Sequence, residues 1–175
     1  MVHMPRTSSG AHKTPGAMDT SFWIAACHAE SEGYALKLFE LHSPQVVVGE
    51  IESEKSPRAR PKAVLFHQLR EAGLIEVTDP ATSTLRQDLF HPGERATLEL
   101  AAERKWHALI NERKAHDFGR EILGLETVSV PEMLVTVVFA GFLGKEEALQ
   151  LLRTLENITH ARLMLNATAL IGRAP

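Results

Sequence analysis

Residues 93–125 read GERATLELAAERKWHALINERKAHDFGREILGL, and this stretch decides the fold class. Its first part, Glu94–Arg104, is rich in Ala, Leu and Glu and predicts a helix. The apolar segment His107–Ile110 predicts a short strand, and Arg113–Leu123 predicts an amphipathic helix that Gly124 ends. This alternation of helix, strand and helix is typical of crossover units in a parallel sheet.

The same alternation continues on both sides of this stretch. Three successive valines after Ser43-Pro44 predict that Gln45–Ile51 is a short buried strand, which ends near Glu50. Leu74–Val77 and Thr127–Val130 predict two further strands, and the C-terminal part of the chain has helical periodicity. The sequence therefore predicts a three-layer α/β/α fold with a short-stranded, mainly parallel central sheet.

Length and composition limit the organisation of the chain. A chain of 175 residues is long enough for one domain with a proper core and too short for two. Residues 1–17, MVHMPRTSSGAHKTPGA, hold Pro, Ser, Gly and Thr with little to bury, so we expect a flexible tail. Residues 18–175 are expected to form a single domain.

Charge, cysteine content and hydropathy exclude several classes of protein. The net charge of −3 argues against general attraction to nucleic acid and leaves room for only a local basic patch. The single cysteine, Cys27, cannot form an internal disulfide and indicates a reducing compartment. The longest apolar run is about half the length that a membrane span needs, and no signal-peptide pattern precedes Asp19. We therefore expect a cytoplasmic protein that does not enter a membrane.

Acidic residues fall where ligands bind in parallel sheets, at strand ends and at the starts of the following helices. They are Asp19, Glu50, Glu94 and Glu112, the last beside Asn111. Three or four convergent carboxylates suit Mg²⁺ or Mn²⁺, which take oxygen ligands. Ordinary helix capping is the alternative, since acids at helix N-termini stabilise the helix dipole. Nine histidines have no HxxxH or HExxH spacing, so we expect no histidine-ligated metal site.

Four short motifs, taken in order, resemble the PIN-like nuclease family, which is related to toxin ribonucleases of toxin–antitoxin pairs. Residues 19–24, DTSFWI, are similar to the family's opening "DTSxxI", and residues 44–51, PQVVVGEI, resemble "PxxVxxEI". Residues 93–101, GERATLELA, resemble "GExxAIxLA", and residues 109–115, LINERKA, resemble "LLxDDxxAR". The resemblance covers about Asp19 to Ile171.

The resemblance implies a PIN-like fold and a Mg²⁺- or Mn²⁺-dependent ribonuclease. Asp19, Glu50 and Glu94 would be metal ligands and catalytic acids, with Thr20 and Ser21 supporting the ligands. The chain departs from the family at Asn111, where the first acid of the fourth motif is expected. Asn111 could still ligate a metal through its carbonyl oxygen, and the neighbouring Glu112 could supply the missing catalytic carboxylate.

Partners follow from the same resemblance and from local charge. The basic residues Arg58, Arg60, Lys62, Arg113 and Lys114 are candidates for binding the RNA backbone, with solvated loops as the alternative. An antitoxin protein or a second copy of the chain could cover a leftover apolar face of the C-terminal helices. Two other hypotheses stay open: a catalytically degenerate PIN-like module that binds RNA or protein, and an unrelated α/β domain.

Overall fold

A computed structural model describes residues 13–53, 56–57 and 59–174. Within these ranges the chain forms five strands and nine helices. In chain order they are β1 (Thr14–Met18), α1 (Thr20–His28), α2 (Glu32–Leu38), β2 (Phe39–Ser43), α3 (Gln45–Ser53), α4 (Arg60–Glu71), β3 (Ile75–Val77), α5 (Pro92–Arg104), β4 (His107–Leu109), α6 (Arg113–Glu121), β5 (Thr127–Val128), α7 (Val130–Phe139), α8 (Lys145–Thr154) and α9 (Ala161–Gly172).

The five strands form one parallel sheet in the order β3-β2-β1-β4-β5. Because successive side chains of a strand point to opposite faces, β1 and β4 contribute to two cores. Met18 and Leu109 pack with α1 and α7 on one face, whereas Ala17, Ala108 and Ile110 pack with α5 and α6 on the other. The predicted three-layer α/β/α fold with a parallel sheet is confirmed.

Strand β1 corrects the predicted boundary of the domain. Residues Thr14–Ala17 were assigned to a flexible tail, yet they lie in the central strand, between β2 and β4. Pro15 fits there because pairing with β4 begins only at Gly16, so its missing N–H removes no bond on that side. A Cβ on Gly16 would lie 2.9 Å from Leu109 Cδ1, so the close strand packing requires glycine. Residues 1–12, the rest of the predicted tail, lie outside the described residues.

The predicted strand Gln45–Ile51 is wrong, because these residues form helix α3. Valine favours strands, but here the helix buries Val47, Val48 and Ile51 together on one face. The Pro44 carbonyl accepts the N–H groups of Val47 and Val48, and a distant carboxylate, Asp79, accepts the N–H of Gln45 at 2.8 Å. Tertiary burial and capping therefore override the local propensity, and Glu50 lies on a helix.

The strand order reverses between β1 and β4, and this reversal decides where a ligand would bind. In open parallel sheets, ligands bind beyond the carboxyl ends of the strands at such a switch point. Asp19 follows β1 directly, and the pair Asn111-Glu112 follows the end of β4.

Among the described residues, no helix is both long and apolar enough to cross a membrane.

Candidate metal centre at the switch point

Asp19 is the most buried of the predicted acids, with 1% of its surface exposed. It caps α1, and its Oδ1 accepts the N–H of Phe22 at 2.7 Å. The Ser21 hydroxyl lies 2.8 Å from Oδ2 and 2.9 Å from Oδ1. Burial raises the pKa of Asp19 to about 7, since these hydrogen bonds lower it only in part and the charge of Glu94 raises it further. An ionised Asp19 would therefore be stabilised by a cation.

Ser21 joins the two sides of the switch point. Its hydroxyl oxygen accepts the backbone N–H groups of Asn111 at 3.0 Å and Glu112 at 3.1 Å. Because the same oxygen carries the proton that reaches Asp19, Ser21 ties the end of β1 to the end of β4.

Glu50 reaches the site from α3 and is held at both carboxylate oxygens. The Gly93 N–H donates to Oε1 at 2.9 Å, and the Thr20 hydroxyl donates to Oε2. A Cβ on Gly93 would lie 2.5 Å from Glu50 Oε2, so the carboxylate occupies the space that any other residue would fill. Glu50 thereby contacts the starts of α1 and α5, and the sequence prediction assigned no role to Gly93.

Glu94 in the first turn of α5 and Glu112 at the N-cap of α6 line the same depression. Glu94 lies in the first turn of α5, where its Oε2 accepts the His91 N–H at 3.2 Å. Burial raises the pKa of Glu94, and the charges of Glu112 and Glu50 raise it further. Glu112 caps α6 and accepts the N–H of Ala115 at 2.9 Å. The two glutamates therefore interact electrostatically across the switch point.

Asn111 lies beside this group but its side chain is directed elsewhere. Its carboxamide oxygen accepts the N–H of Val130 at 3.2 Å, and its Nδ2 donates to the Thr159 hydroxyl at 2.9 Å. The residue is 5% exposed. Asn111 therefore connects β4 to the start of α7 and to the segment before α9, and it does not line the depression at Asp19.

Two adjoining depressions open at this edge of the sheet. The first, of about 450 Å³, is lined by Asp19, Thr20, Ser21, Ile24, Glu50, His91 and Glu94. The second is lined by residues that include Phe90, His91, Glu94, Glu112 and Lys114. His91 and Glu94 belong to both. Sequence reasoning gave His91 no role, although its place just before the Gly93-Glu94 motif was a signal that it would lie beside the acids.

The basic candidates lie at different distances from these depressions. Lys62 donates to the carbonyl of Ile24 at 3.4 Å, beside the first depression, and Lys114 lines the second. Arg60 is exposed at the start of α4, and Arg113 pairs with Asp117 at 3.7 Å along α6. Arg58 lies outside the described residues.

The donor chemistry fits a hard divalent cation held by few protein ligands. Within residues 13–53, 56–57 and 59–174, no three acidic, histidine or cysteine side chains form a ready metal cluster. Mg²⁺ needs no such cluster, because it usually keeps several waters and takes one or two carboxylates together with substrate phosphates. Asp19 and Glu94 offer two carboxylates in one depression, and burial disfavours the charged form of each.

The fold and the site define a parallel α/β domain with carboxylates gathered at its switch point. Residues 29–169 match the sequence profile of the PIN domain, which is most of the chain. The protein belongs to the PIN-domain family. The family suggests a nuclease-like fold that binds nucleic acid, and PIN domains generally use divalent metals. The matched range includes Glu50, Glu94 and Glu112, whereas Asp19 precedes it. No curated protein matches the chain significantly.

Proposed function

We propose that the protein is an endoribonuclease that depends on Mg²⁺ or Mn²⁺. The observation that carries the proposal is the meeting of Asp19, Glu50 and Glu94, from three separate segments, around one depression at the switch point of a PIN-domain sheet. The three acids are far apart in the sequence, and only the fold brings them together. Helix capping explains the hydrogen bond from Phe22 to Asp19, but it does not explain why three acids from separate segments line one depression.

The acids and the groups that orient them have different proposed roles. Asp19 and Glu94 would hold the ion, and Glu50, fixed by Thr20 and Gly93, lines the same depression. Ser21 orients Asp19 through the hydroxyl that also anchors the start of α6. Glu112 would supply the carboxylate that is missing at Asn111, whose carboxamide is engaged with Val130 and Thr159. When bound, such an ion lowers the pKa of a water and neutralises charge on the phosphodiester.

Cleavage of a fluorescently labelled single-stranded RNA tests this proposal. We expect product only with Mg²⁺ or Mn²⁺, and none in a chelator. Glu94→Gln should reduce the rate by at least about a hundredfold, since it removes a charge that acts on the reacting group. Glu147→Gln is the matched control, because Glu147 is exposed in the first turn of α8, away from the site. Cleavage that survives both the chelator and Glu94→Gln would end the proposal, and cleavage unchanged by Glu50→Gln would remove Glu50 from the mechanism.

A second candidate function is a catalytically degenerate module that binds RNA or a protein partner. It is favoured by the missing acid at Asn111 and by the engagement of that side chain in hydrogen bonds away from the depression. Asn111→Asp distinguishes the two functions. If the lost acid limits cleavage, this variant should gain metal-dependent activity. If Glu112 replaces it, the variant should gain none and lose stability, because the new carboxylate cannot donate a hydrogen bond to Thr159 as the carboxamide does.

The toxin role is a narrower form of the nuclease proposal. It adds an antitoxin partner, and exposed apolar side chains such as Phe139, Leu165 and Leu170 on the C-terminal helices offer a surface that a partner or a second copy could cover. Growth arrest on expression, relieved by coexpression of a neighbouring gene product, would support it. Normal growth during expression of a protein that cleaves RNA in vitro would contradict it.

A further inference from the structure

Lys114 is a fixed cation beside the acids. Its ammonium donates to the carbonyl of Leu89 at 2.6 Å and lies 5.1 Å from the centre of the Phe90 ring. Phe90 is itself fixed, since it is 8% exposed and packs edge-on against Phe118 with ring centres 4.9 Å apart. A lysine side chain usually loses much rotational freedom when it binds a ligand. Here that loss has largely occurred in the free protein, which favours binding.

The ammonium still has capacity for an anion. A lysine ammonium has three N–H donors, and only one is needed for the Leu89 carbonyl. Of the three acids that line the second depression, Glu94 and Glu112 belong to the candidate metal centre, and Asp88 is paired with Arg86 at 2.6 Å. Lys114 is exposed, so the remaining donors are accessible. The chemistry available at this point is that of a phosphate-binding cation.

The positions of the two depressions indicate which phosphate of a bound RNA Lys114 would contact. They share His91 and Glu94, so a chain bound in one continues into the other without leaving the surface. Both depressions are lined by acids, and the second is lined in addition by Lys114 and by the apolar side chains of Leu89 and Phe90. Single-stranded RNA repeats a phosphate at every nucleotide and carries an apolar base face between phosphates. Its repeat therefore matches the sequence of acids, apolar wall and cation.

We propose that the second depression is a subsite for the nucleotide next to the cleaved phosphodiester, and that Lys114 binds the adjoining phosphate. This inference rests on the proposed nuclease function and identifies single-stranded RNA as the ligand of the extended site. The Leu89 and Phe90 wall contacts the sugar or base of that nucleotide. His91, which lies between the depressions, marks the boundary between the two nucleotides.

Binding of a labelled single-stranded RNA, measured by fluorescence anisotropy in a chelator so that no cleavage occurs, tests the subsite. Lys114→Met should weaken binding about fivefold and reduce the slope of log K against log salt by about one, because one phosphate contact is lost. Lys145→Met is the matched control, since the Lys145 ammonium also donates to a backbone carbonyl, that of Gly172 at 2.8 Å, but lies on α8. Equal affinities for the two variants would overturn the subsite.

Two further measurements separate a binding role from a structural one. Lys114→Arg should restore most of the affinity, because it keeps the charge, and thermal unfolding should show similar small shifts for Lys114→Met and Lys145→Met. If Lys114→Met fails to fold, Lys114→Arg and Lys114→Gln carry the comparison, and equal binding by them would contradict the proposal. In cleavage assays, loss of the subsite should raise KM more than it lowers kcat.

The outcomes also separate this inference from the nuclease proposal. If RNA is cleaved with metal but Lys114→Met behaves as Lys145→Met does, the subsite is wrong and the nuclease stands. If no metal supports cleavage but the affinity and salt slope depend on Lys114, the subsite stands as part of a binding module. If no metal supports cleavage and the affinity for RNA does not depend on Lys114, both the nuclease proposal and the subsite are wrong.

Discussion

Asp19 and Glu132 are both carboxylates at the carboxyl edge of the sheet, but their surroundings are opposite. Asp19 caps the helix after β1 and receives hydrogen bonds from the neutral donors Phe22 and Ser21. Glu132 lies in the first turn of the helix after β5. Its Oε2 is 2.8 Å from His116 Nε2, and its Oε1 accepts from Arg120 at 3.0 Å. Within the part of the chain that the structure describes, Asp19 is buried without a positive partner, whereas Glu132 accepts from His116, Arg120 and Ser129.

The pKa values show what this difference means. Burial raises the pKa of Asp19 to about 7. Burial acts on Glu132 in the same direction, but hydrogen bonds and charge from His116, with hydrogen bonds from Ser129, outweigh it and lower the pKa to about 2. Glu132 is therefore satisfied as an anion by the protein alone. Asp19 and Glu94 are not, and perturbed carboxylates of that kind in a depression are typical of functional sites.

Asp19→Asn should have the largest effect of any change that tests this comparison. We expect cleavage to fall by at least about a hundredfold, because the neutral side chain supplies no charge to the metal or reacting group. Thermal stability in a chelator should not fall, since asparagine can still accept the N–H of Phe22 and no charge has to be buried. Asp79→Asn is the control, because Asp79 also caps a helix but is exposed.

The pH dependence of the unmodified protein sharpens this prediction. An acid whose pKa rises from 3.8 to about 7 on folding costs stability as pH rises through that range. In a chelator, the difference in unfolding temperature between Asp19→Asn and the unmodified protein should therefore grow from pH 4 to pH 7 in favour of the variant. A variant that is less stable at every pH would show that Asp19 is a structural cap only.

Glu132→Gln should show the opposite pattern, with stability lost and cleavage kept. We expect the free energy of unfolding at neutral pH to fall by about 2 kcal/mol, because His116 and Arg120 lose their charged acceptor. The contribution of a carboxylate with a lowered pKa is complete above 4.5 and disappears as pH falls toward 2. The stability difference between variant and unmodified protein should therefore shrink over that interval in denaturant titrations. A large loss of cleavage in a folded Glu132→Gln protein would contradict the division between the two carboxylates.

The fold class was predictable because most elements have local signals, and the two errors have physical causes. The segment Gln45–Ile51 has strand propensity, but burial of its valines on one face and capping by Asp79 make it a helix. The strand Thr14–Met18 has almost no strand propensity. It is accommodated in the sheet because its small residues let Leu109 pack closely. Neither cause can be seen without the neighbouring elements.

The motifs identified the acids of the candidate site. They did not predict the directions of the side chains. Asp19, Glu50 and Glu94 line one depression, and Glu94 and Glu112 line the next. The carboxamide of Asn111 is directed to Thr159, which follows it by 48 residues. A contact over that distance in the chain depends on how α9 packs, and no local pattern specifies it.

Gly93→Ala tests the least conspicuous part of the comparison, the carboxylate of Glu50, which neutral groups hold in place. The added methyl would lie 2.5 Å from Glu50 Oε2, so the carboxylate has to leave the Gly93 N–H. We expect cleavage to fall by about tenfold, as for the loss of a group that orients a ligand. Stability should stay level or rise, because alanine is a better helix former than glycine by about 1 kcal/mol.

Gly33→Ala is the matched control for this variant, since Gly33 also lies in the first turn of a helix but no atom of the described residues lies within 4 Å of the added methyl. It should gain the same helix propensity and cleave RNA at the unmodified rate. Full activity in Gly93→Ala would mean that the position of Glu50 is unimportant to the reaction. A joint loss of activity and stability would instead mean that Glu50 contributes to the packing of α3 against α5, and the comparison would then place Glu50 with Glu132 and not with Asp19.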